Sequence, residues 1–207
     1  MTPVLYAAAA LILIAAALVT LAWLPAPAEP VRIHNTVDIA RPPDAVFRFV
    51  TTPATWPKWH PATLAVEGAT DYALEFGEQV TEDYYVSAGL RNRARWTVVE
   101  RDAPRRWRID GRGKLGDEAS ITYTLVPTPT GTRFERELRY RMPNRLAAWL
   151  ESLFIRRRVA EQSALALRRL KSVLEDEESQ QPRPSAAEAG MPTCPGRPLS
   201  ASPSAAV

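Results

Sequence analysis

The stretch from Ile33 to Pro61, IHNTVDIARPPDAVFRFVTTPATWPKWHP, constrains the fold more than any other part of the chain. Alternation over Arg32 to Ile39 predicts a strand, and Pro42 and Pro43, which have no backbone N–H, break it. A short helix follows in which Ala45, Val46, Phe49 and Val50 recur at helical spacing. Pro43 suits its first turn, and Asp44 lies near the positive end of its dipole. A second clipped turn, Pro53 to Trp59, carries Trp56 and Trp59 three apart, and therefore on one face. A strand, two short helices and then a long antiparallel run is a rare order of elements.

The period switches to two beyond this point. Further strands are expected near residues 64–67, 78–87, 91–101, 106–113, 119–126 and 132–142, separated by Gly-, Pro- and Asp-bearing turns. With the first, these make seven strands in a consecutive antiparallel meander. From Asn144, a candidate N-cap, to Leu174 the pattern is that of one long helix. Its apolar stripe holds Leu146, Leu150, Leu153, Ala160, Ala164, Leu167 and Leu174. Such a helix needs a concave partner wide enough to receive it. The expected class is thus α+β, with seven antiparallel strands, two short helices and a long C-terminal helix.

The run V-x-I-A-x-P-P-x-x-V-F-x-x-V followed by W-P-x-W-x-P, between Val37 and Pro61, resembles the opening of the START-like (SRPBCC) superfamily. That superfamily includes polyketide cyclase/dehydrase-type proteins, lipid-transfer domains and birch-pollen-allergen-like proteins. The segment ERDAPRR, Glu100 to Arg106, is similar to its central hairpin turn, and the resemblance extends through the terminal helix. It implies a helix-grip fold, in which a curved seven-stranded antiparallel sheet holds the long C-terminal helix and the two short helices close one end, and a shared cavity rather than a shared catalytic set.

Outside residues 31–174, the candidate ligand-binding domain, three appendages are expected. Residues 1–25 form a membrane segment: Val4 to Leu24 carries no charge and would span about 31 Å as a helix, close to a hydrocarbon core. The competing reading is a cleaved signal peptide with Ala26-Pro27-Ala28 as its small-x-small site, but no Lys or Arg precedes the apolar run. Arg32 and Arg41 after the helix favour a cytoplasmic domain, while a short uncharged N-terminus also suits export, so the side stays open. Residues 26–30 are a stiff Pro-rich spacer, and residues 175–207, acidic and then rich in Pro, Ser and Ala, are expected to be disordered.

A net charge of +3, with arginines scattered rather than clustered, does not point to nucleic acid. One cysteine, Cys194, and two histidines, His34 and His60, offer neither an intramolecular disulfide nor a spaced metal set. Neither a G-x-S-x-G, a phosphate-binding loop, a G-x-G-x-x-G after a strand nor a C-x-x-C occurs. Gly111-Arg112-Gly113 reads as turn-forming. No cofactor is implied.

Alternation assigns candidate site residues. Phe134, Leu138 and Tyr140 share one face of the last strand, which forces Arg136 inward, and Val80, Tyr84 and Val86 bring Glu82 inward likewise. An inward Arg and an inward Glu are costly to bury singly, so Glu82 and Arg136 are expected to pair and mark the polar end of a pocket. Trp96, Trp107, Tyr123, Phe134 and Tyr140 are expected to line the same space, with Trp59 from the short helices. As core residues they need no further role. His60 is a candidate base with no partner at a diagnostic spacing. Arg156, Arg157 and Arg158 suit either anionic headgroups or a solvated helix face.

The leading expectation is a single-pass membrane protein that holds a hydrophobic small molecule or lipid without chemistry. Its alternatives are an enzyme resembling polyketide cyclases or aromatases, with Glu82, Tyr84, Arg136 and Tyr140 moving protons, and an interaction module resembling chaperone-activating relatives.

Overall fold

The computed structural model describes residues 2–87, 89–114 and 116–180. Helix α1 (Thr2–Trp23) leads into β1 (Val31–Ile39), α2 (Pro43–Thr51), a 3-10 turn (Pro53–Thr55) and α3 (Trp56–Trp59). Strands β2 (Thr63–Gly68), β3 (Gln79–Ser87), β4 (Leu90–Asp102), β5 (Arg106–Gly113), β6 (Glu118–Thr128) and β7 (Gly131–Arg141) follow, then α4 (Arg145–Phe154) and α5 (Arg156–Gln180).

One antiparallel sheet has the order β1-β7-β6-β5-β4-β3-β2. It is the expected meander, with the first strand returned to the β7 edge. Register shifts between Thr63 and Ala65, Tyr85 and Ser87, and Val98 and Glu100 interrupt its ladders and bend the sheet locally. Pro42 caps α2 with Pro43 in its first turn, and Val46, Phe47, Val50 and Thr51 are buried. Trp56 and Trp59 are both buried beneath α3, and Trp56 donates to the Val50 carbonyl at 3.0 Å.

The C-terminal helix departs from expectation. Its N-cap is Asn144, whose Oδ1 accepts from Ala147 N at 2.8 Å, but the helix breaks at Ile155 (φ −112°, ψ −45°) into α4 and α5. Neither proline nor glycine stands at the break, so the sequence period runs straight through it. The buried stripe lies on α5, where Ser163, Ala166, Leu167, Leu170 and Leu174 are buried, whereas Leu150 and Leu153 of α4 are 40% and 55% exposed. The reason is local: α4 turns inward the carboxylate of Glu151, which is 1% exposed, and leaves part of its apolar surface outside. Residues 175–180, expected in a disordered tail, continue α5, and Glu175 there accepts from Lys171 Nζ and from the Ala40 backbone N–H. The remainder of that tail, with Cys194, lies outside the described residues.

The outer sheet face accounts for much of the arginine content. Arg32 pairs with Glu137, Arg93 with Asp83 and Glu67, Arg106 with Glu100, Arg108 with Asp110, and Arg133 with Asp38. Exposed pairs of this kind add little stability, but they cancel charge across the face.

Candidate functional site

Between the concave sheet face, α3, α4 and the start of α5 lies a pocket of about 300 Å³. Of the residues singled out from the sequence, Trp59, Glu82, Tyr84, Trp96, Tyr123, Arg136 and Tyr140 border it. Trp107 and Phe134 do not. Both are fully buried on the same sheet face, Trp107 stacked on Tyr123 with centroids 5.3 Å apart and Phe134 at 5.1 Å from the same ring. Parity places all three aromatics inward, but Trp107 also meets Trp56 edge-on at 6.5 Å, so the short helices fill the sheet concavity there. The pocket begins only beyond Tyr123.

Four polar groups interrupt its apolar wall. In the first, Glu82 of β3 accepts from Thr63 Oγ1 at 2.5 Å and from Trp96 Nε1 at 2.9 Å. Burial pushes its carboxyl above the usual range, against the pull of these two hydrogen bonds and of Arg136. In the second, Arg136 of β7 donates through Nη1 to Ser163 Oγ at 2.8 Å, and its Nη2 lies 3.5 Å from His60 Nε2. Burial, and then the charge of Arg136, drive His60 down to about 3, so its ring is neutral at physiological pH and a weak base.

The third group joins Asn92, Tyr84 and Asp117. Asn92 Nδ2 donates to the Tyr84 hydroxyl at 2.9 Å and to Asp117 Oδ1 at 3.0 Å, while the Tyr84 hydroxyl donates to Asp117 Oδ2 at 3.3 Å. Burial and then the Asp117 charge raise the Tyr84 pKa. The fourth ties strand to helix: the Tyr140 hydroxyl donates to Glu151 Oε1 at 2.5 Å, and Arg156 Nη2 donates to Glu151 Oε2 at 2.8 Å. Burial and the Glu151 carboxylate raise the Tyr140 pKa.

The expected ion pair between Glu82 and Arg136 is not formed: no carboxylate oxygen of the described residues lies within 4.0 Å of an Arg136 nitrogen. Each is claimed by neutral partners, Glu82 by Thr63 and Trp96, Arg136 by Ser163 and His60. In the basic run at the start of α5, Arg156 is committed to Glu151 and Arg157 to Glu161, while Arg158 is exposed.

Several site residues escape a reading of the sequence. Asn92 has the same inward parity as Ala94, Trp96 and Val98, which is a usable signal. Ser163 interrupts the α5 stripe at the spacing of Ala166 and Leu167, whereas nothing in the helical pattern marks Glu151 as inward. Gly111 and Gly113 are strand residues rather than turn formers. A Cβ on Gly111 would lie 2.3 Å from the Trp96 ring, and one on Gly113 would lie 2.3 Å from Asp117 Oδ1 and 2.6 Å from Asn92 Nδ2. Both are glycines because a pocket side chain lies across the backbone.

A seven-stranded antiparallel sheet closed on a C-terminal helix, with a pocket between them, is the helix-grip arrangement of START-like proteins. The chain belongs to the polyketide cyclase/dehydrase and lipid transport family, whose model matches residues 30–175. Solved structures share the fold at low identity. The protein TTHA0849 of Thermus thermophilus aligns with a TM-score of 0.58 at 17% identity, over 71% of this chain and 99% of that one. Protein CV1439 of Chromobacterium violaceum gives 0.55 at 17%, over 71% and 98%, and a Rhodobacter sphaeroides protein 0.55 at 19%, over 74% and 96%. No curated protein matches the sequence significantly.

Proposed function

We propose that this protein is a membrane-anchored carrier or sensor that binds a hydrophobic small molecule or lipid, without transforming it, in the domain of residues 31–174. The observation that carries this reading is the pocket itself: a largely apolar space of about 300 Å³ with a few fixed polar groups is the usual form of a small-molecule site. Family membership supports it, since a ligand-binding fold and lipid transport are what the family stands for.

The anchor is α1. Pro3–Trp23 is long and apolar enough to cross a bilayer, and none of its most apolar window is buried against the domain. A signal sequence has the same length and composition, and sequencing the N-terminus of the mature protein separates the two. The route between bilayer and pocket runs past α4. Arg145 N donates to the Leu24 carbonyl at 3.0 Å, and Pro25 bridges to Asn144, so α4 starts where α1 ends. Ala147 and Leu150 border the pocket, while Trp149, Leu153 and Phe154 are exposed. A helix with Trp, Leu and Phe outward beside an anchor suits the headgroup–acyl boundary.

The test is native mass spectrometry of the full chain released from lipid nanodiscs, before and after solvent extraction. A discrete added mass lost on extraction is expected, and recovery of the same molecule unchanged after incubation separates a carrier from an enzyme. A chain that flies bare and also fails to take up 11-(dansylamino)undecanoic acid would sink the binding reading.

A further inference from the structure

We propose that the pocket selects an amphipathic ligand with an anionic head, of the long-chain monocarboxylate type, and that Arg136 is the residue that receives it. This rests on the pocket-binding reading above and narrows it.

Arg136 is 3% exposed and borders the pocket. A guanidinium keeps its charge in proteins and offers five N–H donors in a planar fork. The partners it has here, Ser163, His60 and the nearby Tyr123 hydroxyl, are neutral. Ser163 Oγ accepts from Nη1, and its own proton is directed to Asn35 Oδ1 at 2.5 Å. Arginine can only donate, so His60 Nε2, facing Nη2 at 3.5 Å, takes the acceptor role and the ring proton falls on Nδ1. The Arg136 Nε and that His60 Nδ1 are both buried without a hydrogen-bond partner.

The usual ways of settling such a charge are absent among the described residues. No carboxylate lies within salt-bridge distance of Arg136. Glu82, the acidic group whose field reaches it, already accepts two hydrogen bonds, and burial favours its uncharged form. A buried cation without a counter-ion forfeits its hydration and recovers little of it from neutral neighbours. Such a group is stabilised by an anion supplied from outside, and the opening available to it is the pocket. The rest of the wall there, Ile109, Ala119, Ile121 and Leu138, is apolar and fits the body of such a ligand. A carboxylate matches the planar guanidinium fork, and the Nε of that fork has no partner of its own.

The test compares 11-(dansylamino)undecanoic acid with its methyl ester, which has the same apolar body and no charge. Binding is read by dansyl fluorescence with the full chain in phosphatidylcholine nanodiscs, after subtraction of empty discs. The expected result is an acid at least about tenfold tighter than the ester, a difference of about 1.4 kcal/mol. In Arg136→Met the acid-to-ester ratio falls to about one, and Arg136→Lys retains part of it. Because the acid and ester are compared first on the unmodified protein, the outcome does not depend on the variants folding. Equal affinity for acid and ester overturns the anionic-head inference and leaves pocket binding standing, whereas binding of neither overturns both.

Discussion

The Tyr140 hydroxyl of β7 donates to Glu151 Oε1 of α4 across 2.5 Å, and Glu151 is 1% exposed. This contact, completed by Arg156, fixes the helix that borders the pocket to the last strand of the sheet. It also gives a buried carboxylate the donors it needs.

Breaking this contact from either side is therefore expected to cost about as much as breaking it from both. Tyr140→Phe or Glu151→Leu leaves a buried polar group short of a partner, a loss of about 1–3 kcal/mol each. In Tyr140→Phe/Glu151→Leu both groups are gone, and the loss falls short of the sum by about 1 kcal/mol or more. Urea unfolding of the four proteins measures this coupling, and strict additivity would show that the contact contributes nothing.

His60 makes stability depend on acid. Its folded pKa of about 3 lies below the unfolded value of 6.5, so its contribution is fully present above 6.5 and is lost as pH falls from there toward 3. The charged group acting on it is Arg136 from β7; the raised pKa of Glu82, in the same pocket wall, works in the opposite direction but is common to parent and variant. Between pH 7.5 and 5 the stability of the parent relative to His60→Gln is expected to fall by about 2 kcal/mol. A gap that stays constant over this range would mean that His60 titrates alike in the folded and the unfolded chain.

Gly111 supports the position of Trp96. A methyl group there would overlap the indole, so Gly111→Ala is expected to displace Trp96 from Glu82 into the pocket and to cost about 1–3 kcal/mol. Near-ultraviolet circular dichroism and the urea midpoint should change together. Unchanged values would mean that Trp96 is not held against β5.

The surface of α4 tests the arrangement at the membrane. In nanodiscs carrying lipids brominated along their acyl chains, the emission lost in Trp149→Phe is expected to be a quenched component, as is that lost in Trp23→Phe. Quenching at Trp23 alone would keep the anchor and remove α4 from the bilayer. Quenching at neither would remove both.

The sequence by itself determined the strands, the two short helices and the faces of the strands. Alternation fixed seven strands to within a residue or two at most ends, because a half-buried strand must present one apolar side. The prolines at 42 and 43 fixed the start of α2, and the same parity turned Glu82, Tyr84, Tyr123, Arg136 and Tyr140 toward the pocket. Depth and partnership were decided only by the tertiary structure. Trp107 and Phe134 share the inward face of Tyr123 but sit where α2 and α3 fill the concavity, and no local pattern encodes how far along a strand the neighbouring layer reaches. The break at Ile155 carries no local breaker and accompanies the burial of Glu151 against Tyr140. Glu82 and Arg136 likewise face one pocket yet take different partners, since hydrogen bonds are directional and the nearest donors and acceptors, Thr63, Trp96, Ser163 and His60, arrive from other elements. Periodicity assigns a side chain to a face; only the packing of separate segments against that face selects the atoms it meets.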